Sequence, residues 1–117
     1  TSTPLQSLVL LNDPQYFEAA RVLAEHMLKE GGGDTAKQIE HGFRLLTSRY
    51  PDQKELEVLQ RLYQQELQAF EQGGNDALAL LSVGEYPRDE TLPAYQHAAL
   101  TMVATTMINF DETVFIR

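Results

Sequence analysis

The chain has 117 residues, with 17 acidic against 9 basic side chains and a formal charge of −8. That length suits one domain, and 43% hydrophobic with 22% charged residues is enough for a packed core, which excludes wholesale disorder. The absence of cysteine excludes disulfides, thiolate nucleophiles and Cys-bound metals, and the acidic balance makes nucleic-acid backbones and anionic lipid surfaces poor partners.

The chain opens Thr1-Ser2-Thr3-Pro4-Leu5 with no initiator Met and no positively charged leader, and it reads as a piece of something longer. Thr3 and Pro4, followed by Leu5, Leu8, Val9 and Leu11, predict a short capped helix. Asn12-Asp13-Pro14 stops it and starts the next, with Asp13 as N-cap. In that second helix Tyr16, Ala20, Leu23 and Met27 recur at helical spacing beside Phe17, Ala24 and Leu28, and Gly31-Gly32-Gly33 ends the stripe.

Asp34 or Thr35 is the expected cap of a third helix, with Ile39, Phe43 and Leu46 facing inward and Tyr50-Pro51 as its end. Asp52 and Glu55 have capping-box spacing, so a long helix is predicted over 53–72, burying Leu56, Leu59, Leu62, Tyr63, Leu67 and Phe70. A short helix follows over 76–83 behind Asn75. Residues 84–89 have loop chemistry and are expected to be the exposed, mobile segment. The last helix starts near Leu92-Pro93, packs through Leu100, Val103, Ala104 and Met107, and is expected to end close to Asn109. The tail 113–117 is either extended or a further helical turn. No strand pair is present. The predicted architecture is therefore an all-α, irregular bundle of about five or six helices in a single domain.

Chemistry-bearing residues are sparse. His26, His41 and His97 do not pair at i+3 or i+4, so no two-His ligand set is encoded locally and no metal or cofactor is expected in this chain. His41 falls on the solvated side, and His97 lies near the apolar face, where it can hydrogen-bond inside. Glu25 with Lys29, Glu40 with Arg44 and Glu57 with Arg61 have the spacing of i,i+4 ion pairs on a solvated face. The serines lack a nucleophile elbow, and the glycine run lacks the Lys-Ser/Thr of a phosphate loop. No stretch reaches the roughly 20 apolar residues of a membrane span. Three polar clusters remain: Asn12 with Asp13, Arg44 with Arg49, and Asn109 with Asp111 and Glu112. Capping and turn formation account for most of them, and the alternative is convergence on one surface that contacts the rest of a larger protein.

Residues 3–14 together with Phe17-Glu18-Ala19-Ala20 and Leu23-Ala24 resemble the opening signature of a C-terminal domain of unknown function found in large planctomycete-type surface proteins. The likeness continues at Gly42-Phe43-Arg44-Leu45-Leu46, at Arg49-Tyr50-Pro51 and at Ile108-Asn109-Phe110-Asp111-Glu112, and it is weak over 62–95. Ser48 stands where the family usually has glycine, and Thr113 where it usually has an aromatic residue. The resemblance implies an extracytoplasmic setting, periplasmic or cell surface, in proteins that commonly carry a planctomycete cytochrome c domain upstream. It supplies no reaction.

Two functions of different kind follow. The first is a non-catalytic helical module that packs against upstream domains of the same protein, with Asn12, Asp13, Arg44, Arg49, Asn109 and Glu112 as the candidate polar cluster or interdomain surface. The second is part of an enzyme active site, hydrolytic or redox, completed by upstream sequence. A third reading is a carbohydrate-binding module using Tyr86 and Tyr95 as stacking rings, and contact between copies of the chain is a further partner reading.

Overall fold

A computed structural model describes residues 14–74 and 76–116, with side chains described over 15–74 and 76–109. Five α-helices occupy the described residues, with no strand among them: α1 (Pro14–Gly31), α2 (Thr35–Thr47), α3 (Gln53–Glu71), α4 (Ala77–Leu81) and α5 (Ala94–Ile116). The expected helix before Asn12, and the capping role of Asp13, fall outside the described residues.

Local chemistry explains where these helices start. Asp34 caps α2 by accepting the N–H of Ala36 at 2.9 Å. Asp52 and Glu55 close a reciprocal capping box on α3, each accepting the other's backbone N–H, at 2.7 and 2.9 Å. Asp76 caps α4 through the N–H of Ala79. Four of the acidic residues that dominate the net charge are therefore consumed in starting helices.

Helix α4 ends at Leu81, two residues short of the expected 83, and two other helix ends differ from expectation by more. Helix α2 stops at Thr47, because Ser48 turns into the left-handed region at φ 61 and its N–H closes onto Arg44 O at 2.8 Å, before Tyr50-Pro51 is reached. Helix α5 does not end near Asn109 but runs to Ile116. No glycine or proline interrupts 109–116, and the β-branched Thr113 and Val114 do not by themselves stop a helix already propagating.

Helix α5 is the hub, packing against each of the other four helices. Its buried residues wrap its circumference: His97, Ala98, Ala99, Leu100, Thr101, Val103, Ala104, Thr105 and Met107. A helix apolar all round belongs in the interior. Small side chains let the partner helices approach closely, and the hydroxyls of Thr101 and Thr105 donate to carbonyls of their own helix, at 2.8 and 2.7 Å. Ala20, Ala24 and Met27 from α1, Ile39 and Phe43 from α2, Leu59, Tyr63 and Phe70 from α3, and Leu81 from α4 complete the core. The inward faces read from the sequence are thus largely the observed ones, with Leu46, Leu56, Leu62 and Leu67 only partly buried at the edges.

Candidate functional site

One face of α1 carries charges where a core stripe would be expected. Arg21 follows Phe17 by four residues and precedes Leu28 by seven, so helical spacing places it in line with them, and it is fully buried. Its guanidinium donates from Nε to Val83 O at 2.8 Å and from Nη2 to Tyr86 O at 2.6 Å. On either side, Glu18 accepts the backbone N–H groups of Glu85 and Tyr86, the latter at 2.9 Å, and Glu25 accepts the N–H of Asp89 at 2.9 Å. One turn further, Lys29 pairs with the Asp89 carboxylate at 3.0 Å. Four side chains, spaced three, four and four residues apart, therefore grip residues 83–89, three through backbone groups and Lys29 through the Asp89 carboxylate.

This corrects the expectation of a loose loop: residues 84–87 are exposed, yet the connection is bound along its length to α1. Gly84 permits the fit. Its φ of +91° lies where side chains are disfavoured, and a Cβ there would come within 2.6 Å of the Glu18 Cβ.

The electrostatics follow from the contacts. The N–H groups of Tyr86 and Glu85 hold the Glu18 carboxyl below its ordinary range. The Thr91 hydroxyl and the Lys29 ammonium, with the Thr91 amide, hold Asp89 down to about 2, and Asp89 in turn raises Lys29. Beneath the connection, His97 is fully buried, and its Nε2 lies 3.0 Å from Arg21 O, so the expected internal hydrogen bond of His97 is formed. Burial pushes its imidazole below the ordinary value.

The three i,i+4 ion pairs read from the sequence are not among the ion pairs of the described residues. Glu25 and Lys29 both serve the connection, Arg44 lies over the Tyr50 ring at 4.4 Å, and Glu57 takes an amide hydrogen from Gln53 at 3.4 Å. Tertiary acceptors and an aromatic face compete successfully with exposed pairs of small value.

A second feature is a groove of about 370 Å³ between α2, α3 and α5. Phe43, Leu59 and Met107 form its apolar floor, Val58, itself 53% exposed, is part of its wall, and Asp52, Lys54 and Glu55 also line it. Arg49 borders this groove. It lies 4.8 Å over the Phe43 ring and clamps Glu55 through two 2.9 Å bonds, and this hydrogen bonding raises the Arg49 pKa and lowers that of Glu55.

Of the six polar residues singled out in the sequence, Arg44 and Arg49 occupy the same α2–α3 corner, each spent on a stacking contact. Asn109 is half-buried within α5, not at its end. Asn12, Asp13 and the Glu112 side chain lie outside the described residues. Sequence reasoning missed Arg21, although its register with Phe17 and Leu28 was the signal that marked it as inward-facing. Among the described residues, no group of three or more His, Asp or Glu side chains is arranged to hold a metal ion, and no helix is long and apolar enough to cross a membrane.

A family profile described as PSD1, protein of unknown function (DUF1553), matches residues 1–63, just over half of the 117. The chain belongs to this family. No curated protein and no solved structure matches it. The PSD1 match covers α1, α2 and the first half of α3, and so includes the charged face of α1 and part of the groove, while residues 83–89 lie beyond it.

Proposed function

We propose that this chain is a non-catalytic helical module that docks onto upstream domains of an extracytoplasmic multidomain protein, with the groove between α2, α3 and α5 receiving an apolar segment of those domains. The observation that carries this reading is the groove itself: an apolar floor open to solvent, walled by the exposed Val58. Arg49 and Arg44, at the adjoining corner, supply a polar rim of the kind that surrounds apolar contact centres. The extracytoplasmic, planctomycete-type setting rests on the resemblance of the Thr3–Pro14 and Arg49-Tyr50-Pro51 motifs.

The test mixes the chain with separately produced preceding domains of its own gene product and measures affinity by calorimetry. Binding in the micromolar range or tighter is expected, weakened about tenfold or more by Val58→Lys with the thermal midpoint unchanged. No binding at about 100 μM, binding indifferent to Val58→Lys, or a gene that encodes no further domain overturns the proposal.

One observation favours a second reading, carbohydrate binding: the rings of Tyr86 and Tyr95 are each 48% exposed, as stacking platforms need to be. Retardation of the chain in polysaccharide-containing gels, lost in Tyr95→Ala, separates this from docking.

A further inference from the structure

His97 sits at the junction of α5, α1 and the bound connection, and its hydrogen bonding is incomplete. Arg21 O can only accept, so His97 Nε2 carries the proton and donates to it, which leaves Nδ1 with a lone pair. Nδ1 is buried and has no hydrogen-bond partner among the described residues. The charged groups acting on the ring are Arg21 and Glu25 from α1 and Arg88 from the connection. Arg21 Nη1 and Arg88 Nη1 are also buried without an acceptor.

The neutral ring suits this environment and the charged ring does not. A second proton would place an N–H at Nδ1 in the field of two guanidinium groups whose Nη1 atoms already lack acceptors, with Glu25 as the one anion acting on the ring among the described residues. Glu25 Oε1 already accepts the N–H of Asp89. Turning that carboxylate toward a charged His97 abandons the Asp89 anchor, and leaving it in place buries an uncompensated cation. Either outcome weakens the hold of α1 on residues 83–89, and Arg21, which fastens Val83 and Tyr86 from the same spot, feels the added repulsion directly.

We infer that His97 is an acid-sensitive latch: protonation at Nδ1 releases residues 83–89 from the charged face of α1. Release frees the Tyr86 ring and uncovers Glu18, Arg21 and Glu25 to solvent, so that a surface closed at neutral pH becomes available in mild acid. The inference concerns the face formed by α1 and the connection, and does not depend on the groove.

The test is amide hydrogen exchange of the full chain between pH 7.5 and 4.5, corrected for intrinsic rates, with the His97 ring followed by NMR. Protection of the Glu85, Tyr86 and Asp89 amides is expected to fall about tenfold or more as pH drops below about 6.5, while the core amides of α5 keep theirs. In His97→Gln, whose side-chain amide can still donate to Arg21 O, this fall is expected to vanish. In Arg88→Gln, where one repelling cation is gone, it is expected to shrink. Constant protection down to pH 5, or the same fall in His97→Gln, overturns the latch. Should His97→Gln fail to fold, the ring titration decides: a His97 that titrates at its ordinary value with no change in the connection's protection also overturns it.

Discussion

Arg21 and Val83 are 62 residues apart in sequence, yet the guanidinium Nε of one lies 2.8 Å from the carbonyl oxygen of the other inside the protein. With the second bond to Tyr86 O, Arg21 satisfies two carbonyls of a segment that has no regular structure of its own. Arg21→Met keeps much of the buried stem but leaves both carbonyls without this donor. It is expected to cost about 3 kcal/mol in urea unfolding, since two hydrogen bonds from a charged donor are lost at a buried site. Arg21→Lys is expected to recover less than half of that, because a single ammonium does not reproduce the planar fork that reaches two carbonyls.

The turn after α2 offers a stabilising change. Ser48 adopts φ 61, ψ 21, a conformation that strains residues bearing a Cβ. Ser48→Gly is expected to stabilise the fold by about 0.5 kcal/mol, the relief of strain exceeding the greater backbone freedom of glycine in the unfolded chain. Ser48→Val is expected to destabilise by about 1 to 2 kcal/mol, β-branching being least compatible with this region. Paired thermal unfolding of the two variants, which should shift the midpoint in opposite directions, checks both.

The Asp89 carboxylate makes a separate contribution at lower pH than His97. Its value is held at about 2 in the folded chain against an ordinary 3.8, so it is a depressed acid. Its stabilising contribution is fully present above 3.8 and is lost as pH falls from there toward 2. Acid unfolding followed by circular dichroism is expected to lose part of this steep limb in Asp89→Asn. Because the pair is partly accessible, with the Lys29 side chain about half exposed, added salt is expected to reduce the difference between the two proteins.

Helix identities, starts and inward faces were legible in the sequence because they are written in local chemistry. Asp34 and the Asp52–Glu55 pair announce helix starts within three or four residues, and Ala20, Met27, Ile39, Phe43, Leu59, Leu100 and Val103 fall at helical spacing, whereas Asp76, expected inside its helix behind Asn75, is the cap in front of it. The end of α2 was misjudged by a few residues because a serine in the left-handed region stops a helix without looking like a stop signal. The end of α5 was misjudged because a polar residue such as Asn109 does not interrupt a helix that is already formed.

The charge of −8 and the 117-residue length suggested an acidic domain whose carboxylates decorate its surface in i,i+4 pairs. Sequence by itself determined the all-helical class, most of the core positions and the Asp52–Glu55 capping box, and it narrowed the cap of α2 to Asp34 or Thr35, since each of these depends on neighbours within one or two turns. Only the tertiary structure decided what Glu18, Arg21, Glu25 and Lys29 do, because their partners in residues 83–89 are more than 50 residues away and are mostly backbone N–H and C=O groups, which every sequence carries and no side-chain pattern reveals.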